Sequence, residues 1–327
     1  MSKAATFLEH YLAPLAPYLD RSDVTDIYVN RPGEVWIETL GGAIERLDEP
    51  ELTIERLWRL AWQIASATSQ GVSPQHPLLA ATLPGGARIQ IVAPPATREG
   101  LALAIRRHAA SALPLEAYAE TRSEKTLQTA LPPIDPEAML VERRYPEVLA
   151  WAVKSRKNIL ISGGTSSGKT TLLNSLLSEI PPAERLIFIE DTPELRLSHQ
   201  NSVGLVTVRG GQGEALVNAE ELLQAALRMR PDRIILGELR GPEAFTFLRA
   251  INTGHPGSMT TIHADSPDRA FIQLAMMAMQ FGTGISFADA HVLAREMIDV
   301  VVQLGRIGER RCVTNLAVYW AANRRSD

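Results

Sequence analysis

The 327-residue, 35.8-kDa chain exceeds the usual size of one compact core, and its length favours two domains. Hydrophobic residues make up 45% and charged residues 21%, which excludes an intrinsically disordered or collagen-like protein. The formal net charge of -4 and the isoelectric point near 6.0 argue against a dedicated nucleic-acid binder, because such proteins carry a basic surplus.

Residues 1–112 predict an α+β domain. Helical periodicity occurs in residues 7–12 and again in residues 54–67. Short β-like runs separated by glycine turns lie at residues 26–29, 35–38, 88–92 and 101–105. This pattern favours an antiparallel sheet with helices on one side.

The composition changes over residues 113–140. The prolines of this segment are Pro114, Pro132, Pro133 and Pro136. Each proline removes a backbone donor and restricts the preceding residue to extended geometry, so the segment predicts a linker. Fully extended, it reaches about 90 Å, which is enough to place the first domain over a neighbouring copy of the second.

Residues 141–327 predict a second domain of the α/β class. Apolar β-like runs lie at residues 159–162, 186–190, 234–237 and 259–263. Helical stretches lie between and after them, at residues 147–155, 169–179, 219–229, 242–251 and 268–280. Continuous apolar strands that alternate with helices indicate a parallel sheet buried on both faces.

The single cysteine, Cys312, lies in a β-like run at residues 312–319 and is interpreted as a small packed residue. It leaves no internal disulfide and no cysteine-cluster zinc site, which favours a reducing compartment. The sequence has no apolar run of the roughly eighteen residues that a membrane-spanning helix needs, and its N-terminus lacks the pattern of a signal peptide. These features predict a cytoplasmic protein.

The strongest local motif is a phosphate-binding loop. The residues that match the Walker A spacing are Gly163, Gly164, Thr165, Ser166, Ser167, Gly168, Lys169 and Thr170, and Thr171 follows them. A β-like run precedes the loop and a helix follows it, which argues against an empty glycine-rich turn. We expect backbone amides and the helix N-terminus to hold phosphate, Lys169 to reach the β- and γ-phosphates of ATP, and Thr170 to ligate Mg²⁺.

Three further segments follow the loop in the chain. Residues 189–195 place carboxylates at the end of an apolar run, where they either organise a metal and a water or merely cap the strand in solvent. Residues 229–240 resemble a Walker B strand in which glycine precedes Glu238, so Glu238 is expected to organise magnesium, partly through water. Residues 253–264 contain a β-like run ending in His263, an imidazole that could face the phosphates or simply pack.

Together, the four motifs resemble those of the secretion ATPase superfamily, which powers type II secretion, type IV pili and type IV secretion. Its members carry a Walker A motif, an aspartate box, an atypical Walker B motif and a histidine box in this order. The resemblance is strong over residues 145–302 and weaker over the first domain. The segments similar to the type IV secretion and conjugation branch are residues 83–90, 104–106, 228–233, 254–258 and 273–275.

This resemblance implies a homohexameric ring in which an α+β N-terminal domain and a RecA-like C-terminal domain form two tiers with nucleotide between them. It implies that Glu194 activates water, that Glu238 orders the metal, and that His263 senses the γ-phosphate. Arg88 and Arg106 match arginines that close over the nucleotide. Without that match, each arginine would be interpreted as a solvated strand residue.

The implied partners are inner-membrane components of a type IV secretion machine and a translocated protein or nucleoprotein substrate. Membrane association is expected to be peripheral, at the inner membrane and through those partners, with no sequence-specific nucleic-acid contact. One alternative is a motor for type IV pilus or type II secretion assembly or retraction. Alternatives of other classes are a RecA-like nucleic-acid translocase and a nucleotide-gated scaffold that barely hydrolyses ATP.

Overall fold

The computed structural model describes residues 3–107, 135–208, 216–282 and 284–319. The chain folds around two sheets, one of six strands and one of seven, and this mixed architecture confirms the predicted fold class. The proposed linker falls mostly outside the described residues. Its described end belongs to the second unit, because Pro136 begins a short helix, capped by the Asp135 side chain, whose Met139 and Leu140 pack against the core of the second sheet.

The first sheet is antiparallel throughout. Its strands are β1 (Val24–Val29), β2 (Glu34–Thr39), β3 (Ile44–Asp48), β4 (Leu78–Thr82), β5 (Arg88–Val92) and β6 (Ala102–Arg106), in the order β3-β2-β1-β6-β5-β4. The helices of this unit are α1 (Lys3–Leu12), α2 (Ala16–Leu19) and α3 (Ile54–Ala67). The predicted helix 54–67 is confirmed, whereas the helix predicted at 7–12 begins earlier and the sequence did not indicate β3 or β4.

Alternate residues of this sheet face different cores. Ile27 and Val29 of β1 pack in one cluster with Leu57 and Leu60 of α3, which confirms helices on one side. Tyr28, between them, packs in the cluster that belongs to the second sheet. Since side chains alternate along a strand, one face of the first sheet meets its helices and the other meets the second unit.

The second sheet is parallel except for its last strand. Its strands are β7 (Ile159–Gly163), β8 (Leu186–Glu190), β9 (Ser202–Val206), β10 (Arg233–Leu236), β11 (Met259–Ile262), β12 (Val300–Ile307) and β13 (Arg310–Val318), in the order β13-β12-β7-β11-β10-β8-β9. The helices are α4 (Pro136–Val141), α5 (Tyr145–Lys154), α6 (Lys169–Leu177), α7 (Ala219–Ala226), α8 (Glu243–Asn252), α9 (Pro267–Met279) and α10 (Phe287–Met297). Strands β9 and β12 and helices α4 and α10 were not predicted from the sequence.

Two of the predicted helices end earlier than expected. Helix α6 ends at Leu177 rather than 179, and α7 ends at Ala226 rather than 229. Beyond α6 the amides of residues 178–180 bond three residues back instead of four, and beyond α7 those of Arg228 and Met229 do the same. These tightened turns satisfy the last carbonyls without continuing the helix.

The two units meet around a buried arginine, Arg185, which precedes β8. Its Nη1 donates to Asn30 Oδ1 at 2.6 Å, and its guanidinium lies 4.0 Å from the centre of the Tyr28 ring. Burial lowers the pKa of Arg185 to about 10, although the neighbouring acidic groups oppose this shift. A second bridge joins Arg230 to Glu38 at 2.9 Å.

In the described part of the chain, no helix has both the length and the apolar character needed to cross a membrane.

Candidate functional site

The phosphate-loop motif forms a tight turn between β7 and α6. Ser166 and Gly168 take positive φ values of 58° and 96°, and Gly168 caps the N-terminus of α6. A side chain at Gly163 would place its Cβ 2.5 Å from Ser167 Oγ, so the loop can close only over glycine. The turn therefore presents its backbone and the first turn of α6 to the crevice beyond β7.

Lys169 is the charged group of this loop. Its Nζ donates to the carbonyl oxygens of Gly163 at 3.0 Å and Gly164 at 3.1 Å, and it lies 3.3 Å from His263 Nδ1. The side chain is 9% exposed. Burial lowers the pKa of Lys169, while the carboxylate of Glu238, 3.9 Å away, opposes that shift.

Most of the predicted residues line one cavity of about 490 Å³. They are Thr165, Ser166, Ser167, Gly168, Lys169, Thr170, Thr171, Glu194, Glu238 and His263. Glu238 follows β10 and His263 follows β11, and Glu238 Oε1 lies 2.8 Å from His263 Nε2. The cavity lies at the carboxyl edge of parallel strands, where open α/β sheets bind ligands.

The loop that carries Glu194 is anchored by a buried carboxylate. Glu190, the last residue of β8, accepts hydrogen bonds through Oε1 from the amides of Glu194 at 2.8 Å and Leu195 at 2.7 Å. Burial raises the pKa of Glu190, and these amides oppose the shift. The Glu194 side chain itself is exposed at the cavity, so Glu190 fixes the loop and leaves Glu194 accessible.

Arg88 and Arg106 do not line this cavity. They are paired across β5 and β6 and line a second cavity of about 840 Å³, together with Arg228, Arg230 and His255. Within one chain, the structure does not bring them to the phosphate loop. The expectation that they close over the nucleotide is therefore not met by the residues of a single chain.

Sequence reasoning assigned no individual role to two arginines that line the nucleotide-sized cavity. Arg240 forms an ion pair with Glu238, and its Nη1 lies 2.8 Å from Asp191 Oδ2. It stands two residues beyond Glu238, so its position in the motif was a usable signal. Arg311 of β13 lies over Gly168, where an added Cβ would be 3.2 Å from its Cδ. Arg311 comes from a distant strand with no surrounding motif, and nothing local marked it.

The residues of the cavity fit a magnesium nucleotide. Among the described residues, the buried Ser167 Oγ has no hydrogen-bond partner, and the Thr170 hydroxyl also lines the cavity. Across the described ranges, no group of three or more His, Cys, Asp or Glu side chains is arranged to hold a metal. Magnesium commonly takes only one or two protein ligands and completes its shell with water and phosphate. One hydroxyl and one carboxylate, from Thr170 and Glu238, are the oxygen donors such an ion would use.

A strand, a glycine-rich cradle and a helix at the carboxyl edge of a parallel sheet define a P-loop nucleotide-binding protein. The chain belongs to the type II/IV secretion system protein family, whose pattern matches residues 9–314. It is an ATPase of that family, as the four ordered motifs predicted.

Similar proteins lie in the type IV secretion branch. The chain is 41% identical to the type IV secretion system protein PtlH of Bordetella pertussis over 320 residues, covering 94% of each sequence. It is 38% identical to the type IV secretion system protein VirB11 of Bartonella quintana over 324 residues, covering 93% of this chain and 91% of that one. The crystal structure of the VirB11 ATPase from the Brucella suis type IV secretion system, in complex with sulphate, matches with a TM-score of 0.87 at 36% identity, covering 97% and 95%. These similarities confirm the type IV interpretation over the alternative motors.

Proposed function

We propose that this chain hydrolyses ATP with magnesium in a homohexameric ring, and that the ring drives substrate translocation or pilus assembly in a bacterial type IV secretion system. The observation that carries this proposal is the cavity that joins Lys169, Glu194, Glu238 and His263 around one phosphate loop. The names of the similar proteins support the setting. The ring works on the cytoplasmic side of the inner membrane, held there by membrane components of the machine, and it acts on a protein or nucleoprotein substrate.

Phosphate binding begins with the loop itself. The amides of residues 164–169 surround the β- and γ-phosphates, and Lys169 exchanges the carbonyls of Gly163 and Gly164 for phosphate oxygens. That exchange is favourable because a buried ammonium gains an anionic partner. Thr170 and Glu238 would hold magnesium, which would supply neutralisation of the phosphate charge.

Hydrolysis needs a group that accepts the proton of the attacking water. Glu194 takes this role because its carboxylate is exposed in the cavity and its loop is fixed from behind by Glu190. The water oxygen bonds to the γ-phosphorus, the bond to the bridging oxygen breaks, ADP leaves, and the water proton passes to Glu194.

His263 connects the lysine to the Glu238 carboxylate. Since Lys169 Nζ is a donor, His263 Nδ1 accepts from it, and the other ring nitrogen, Nε2, donates to Glu238. When Lys169 moves onto phosphate, the imidazole loses that contact and can turn to the γ-phosphate. His263 in this way reports whether the γ-phosphate is present.

Arg88 and Arg106 act on the nucleotide of a neighbouring subunit. They lie outside the cavity of their own chain and line the second cavity, where Asp26, opposite Arg106 across β1 and β6, is an acidic neighbour of Arg106. With Arg228 and Arg230 they form a concentration of positive charge that suits phosphate oxygens. A closed ring places one subunit's first domain beside the next subunit's second domain. In that position, the two arginines can reach the neighbour's nucleotide.

The decisive experiment measures ATPase activity and oligomer mass together, with and without nucleotide. We expect a magnesium-dependent ATPase of hexameric mass, and a Lys169→Ala variant that retains its fold but loses turnover. Salt-sensitive DNA binding with DNA-stimulated hydrolysis would instead favour a nucleic-acid translocase. A ring that changes shape on binding ATP without turnover would favour a nucleotide-gated scaffold.

A further inference from the structure

A short segment between β5 and β6 extends the second sheet. The amide of Val206 donates to the carbonyl of Ala96 at 3.0 Å, and the amide of Arg98 donates to the carbonyl of Gly204 at 3.0 Å. Thr97 pairs with Leu205 in an antiparallel bridge. Part of the first unit is therefore joined by backbone hydrogen bonds to β9, the outer strand of the nucleotide-binding sheet.

The side chain of Arg98 crosses β9 at Gly204. A Cβ at Gly204 would lie 2.5 Å from Arg98 Cδ, closer than real Cβ atoms approach, and would be tightly packed at 3.0 Å from Arg98 Cγ and 3.1 Å from Leu197 Cδ1. Glycine at this point of a strand leaves the space through which another group approaches closely. Here that group is an arginine that comes from the other unit.

Beyond Gly204, Arg98 reaches the loop that carries Glu194. Its Nη1 donates to the carbonyl of Leu195 at 2.7 Å, and its Nη2 forms an ion pair with Glu190. The Arg98 and Glu190 side chains are only 12% and 3% exposed, so water screens this pair weakly. The same Glu190 carboxylate accepts from the amides of Glu194 and Leu195.

We propose that Arg98 is a positioning residue that fixes the Glu194 loop from the first unit, so that hydrolysis depends on that unit remaining seated against β9. Arg98 has no hydrogen bond or ion pair with the phosphate loop among the described residues, and it is not itself part of the cavity lining. It acts through Glu190 and the carbonyl of Leu195. This inference rests on the proposed role of Glu194 as the group that activates water.

The first test separates chemistry from binding in the full-length protein. In Arg98→Met, kcat should fall about tenfold to a hundredfold, because a displacement of about 1 Å at a catalytic group costs that much. The dissociation constant for ATP should change by less than about twofold, because the phosphate loop is untouched. Arg98→Lys retains a charge for Glu190 and should recover part of kcat.

Arg31→Met is the matched control. Arg31 also bridges the two units, since its Nη2 donates to the carbonyl of Gln200 at 3.0 Å, but its ion pairs are with Glu34 and Glu99. This variant should keep kcat within about twofold of the unaltered protein. An equal loss of kcat in Arg31→Met and Arg98→Met would reduce Arg98 to a general interface contact and overturn the inference.

A second pair of variants tests the crossing at Gly204. Gly204→Ala should lower kcat by displacing Arg98. Adding Gly204→Ala to Arg98→Ala should cost little more, because the neighbour that remains, Leu197 Cδ1 at 3.1 Å, is the end of a flexible side chain that needs to give by only a few tenths of an ångström. Additive losses would contradict the proposed path of Arg98. Glu194→Gln, assayed in parallel, keeps the two proposals distinguishable. If it stays active, the role of Glu194 fails. If it is inactive while Arg98→Met is unaffected, only the role of Arg98 fails.

Discussion

Arg88 and Arg106 can be assigned to one subunit or its neighbour by mixing two inactive variants, Lys169→Ala and Arg106→Ala. If Arg106 serves the next subunit, a complete site needs Lys169 from one subunit and Arg106 from its neighbour. Such a site forms where an Arg106→Ala subunit supplies Lys169 and the adjacent Lys169→Ala subunit supplies Arg106. At equal mixing each condition holds with a probability of about one half, so about one quarter of the sites should be complete.

Activity should follow the product of the two subunit fractions and peak at equal mixing. The assay is steady-state ATP turnover across mixing ratios, with mixed rings verified by mass. Arginines of this kind contribute about a thousandfold or more to the rate, so a quarter of the full activity stands far above the background.

The matched control mixes Lys169→Ala with Glu194→Gln. Both residues line the cavity of the same chain, so every site in that mixed ring stays defective and no ratio should restore turnover. If the Arg106→Ala mixture also gave zero activity at all ratios, the assignment of Arg106 to a neighbour's site would be refuted.

Two further predictions concern single residues. The Glu194→Gln variant should still bind ATP, but its turnover rate should fall about a hundredfold to ten-thousandfold, because an amide cannot accept the water's proton. Nucleotide binding and single-turnover rates check this, and an active Glu194→Gln beside a bound but inactive Glu238→Gln would reverse the two roles. Cys312→Ser should leave turnover and ring mass nearly unchanged, because Cys312 is a partly buried residue paired with Gly305 in the β12–β13 hairpin. Loss of activity in that variant would reveal a thiol function.

The centre of the site was predictable because its parts are local or follow strands of one sheet. The phosphate loop is contiguous in sequence, with its strand before it and its helix after it. Glu238 and His263 each follow a buried strand, and parallel neighbours end at the same edge. The apolar runs that precede Glu238 and His263 were therefore enough to predict that both side chains lie at the same edge of the sheet.

Two of the elements that the sequence analysis missed, β9 and α10, lack a strong local pattern, whereas the missed strand β12 is a plainly apolar run. Strand β9 contains Gly204 at its centre, and glycine weakens a strand signal. Helix α10 buries only Ala290 and Ala294, so its apolar stripe is faint. The role of Arg98 depends on a contact with Glu190, 92 positions away in the sequence, and no periodicity encodes such a contact.

Because the first sheet packs against a different core on each face, neighbouring residues of one strand should respond differently to substitution. In β2, Val35 and Ile37 belong to the core under the helices, whereas Trp36 belongs to the core shared with the second unit. A polar residue at position 35 or 37 should destabilise the fold of the first unit, whereas one at position 36 should leave that unit folded but weaken its packing against the second unit. Substitutions at neighbouring residues of one strand should therefore have two different consequences: loss of folding in one case, and loss of mechanical coupling between the units in the other.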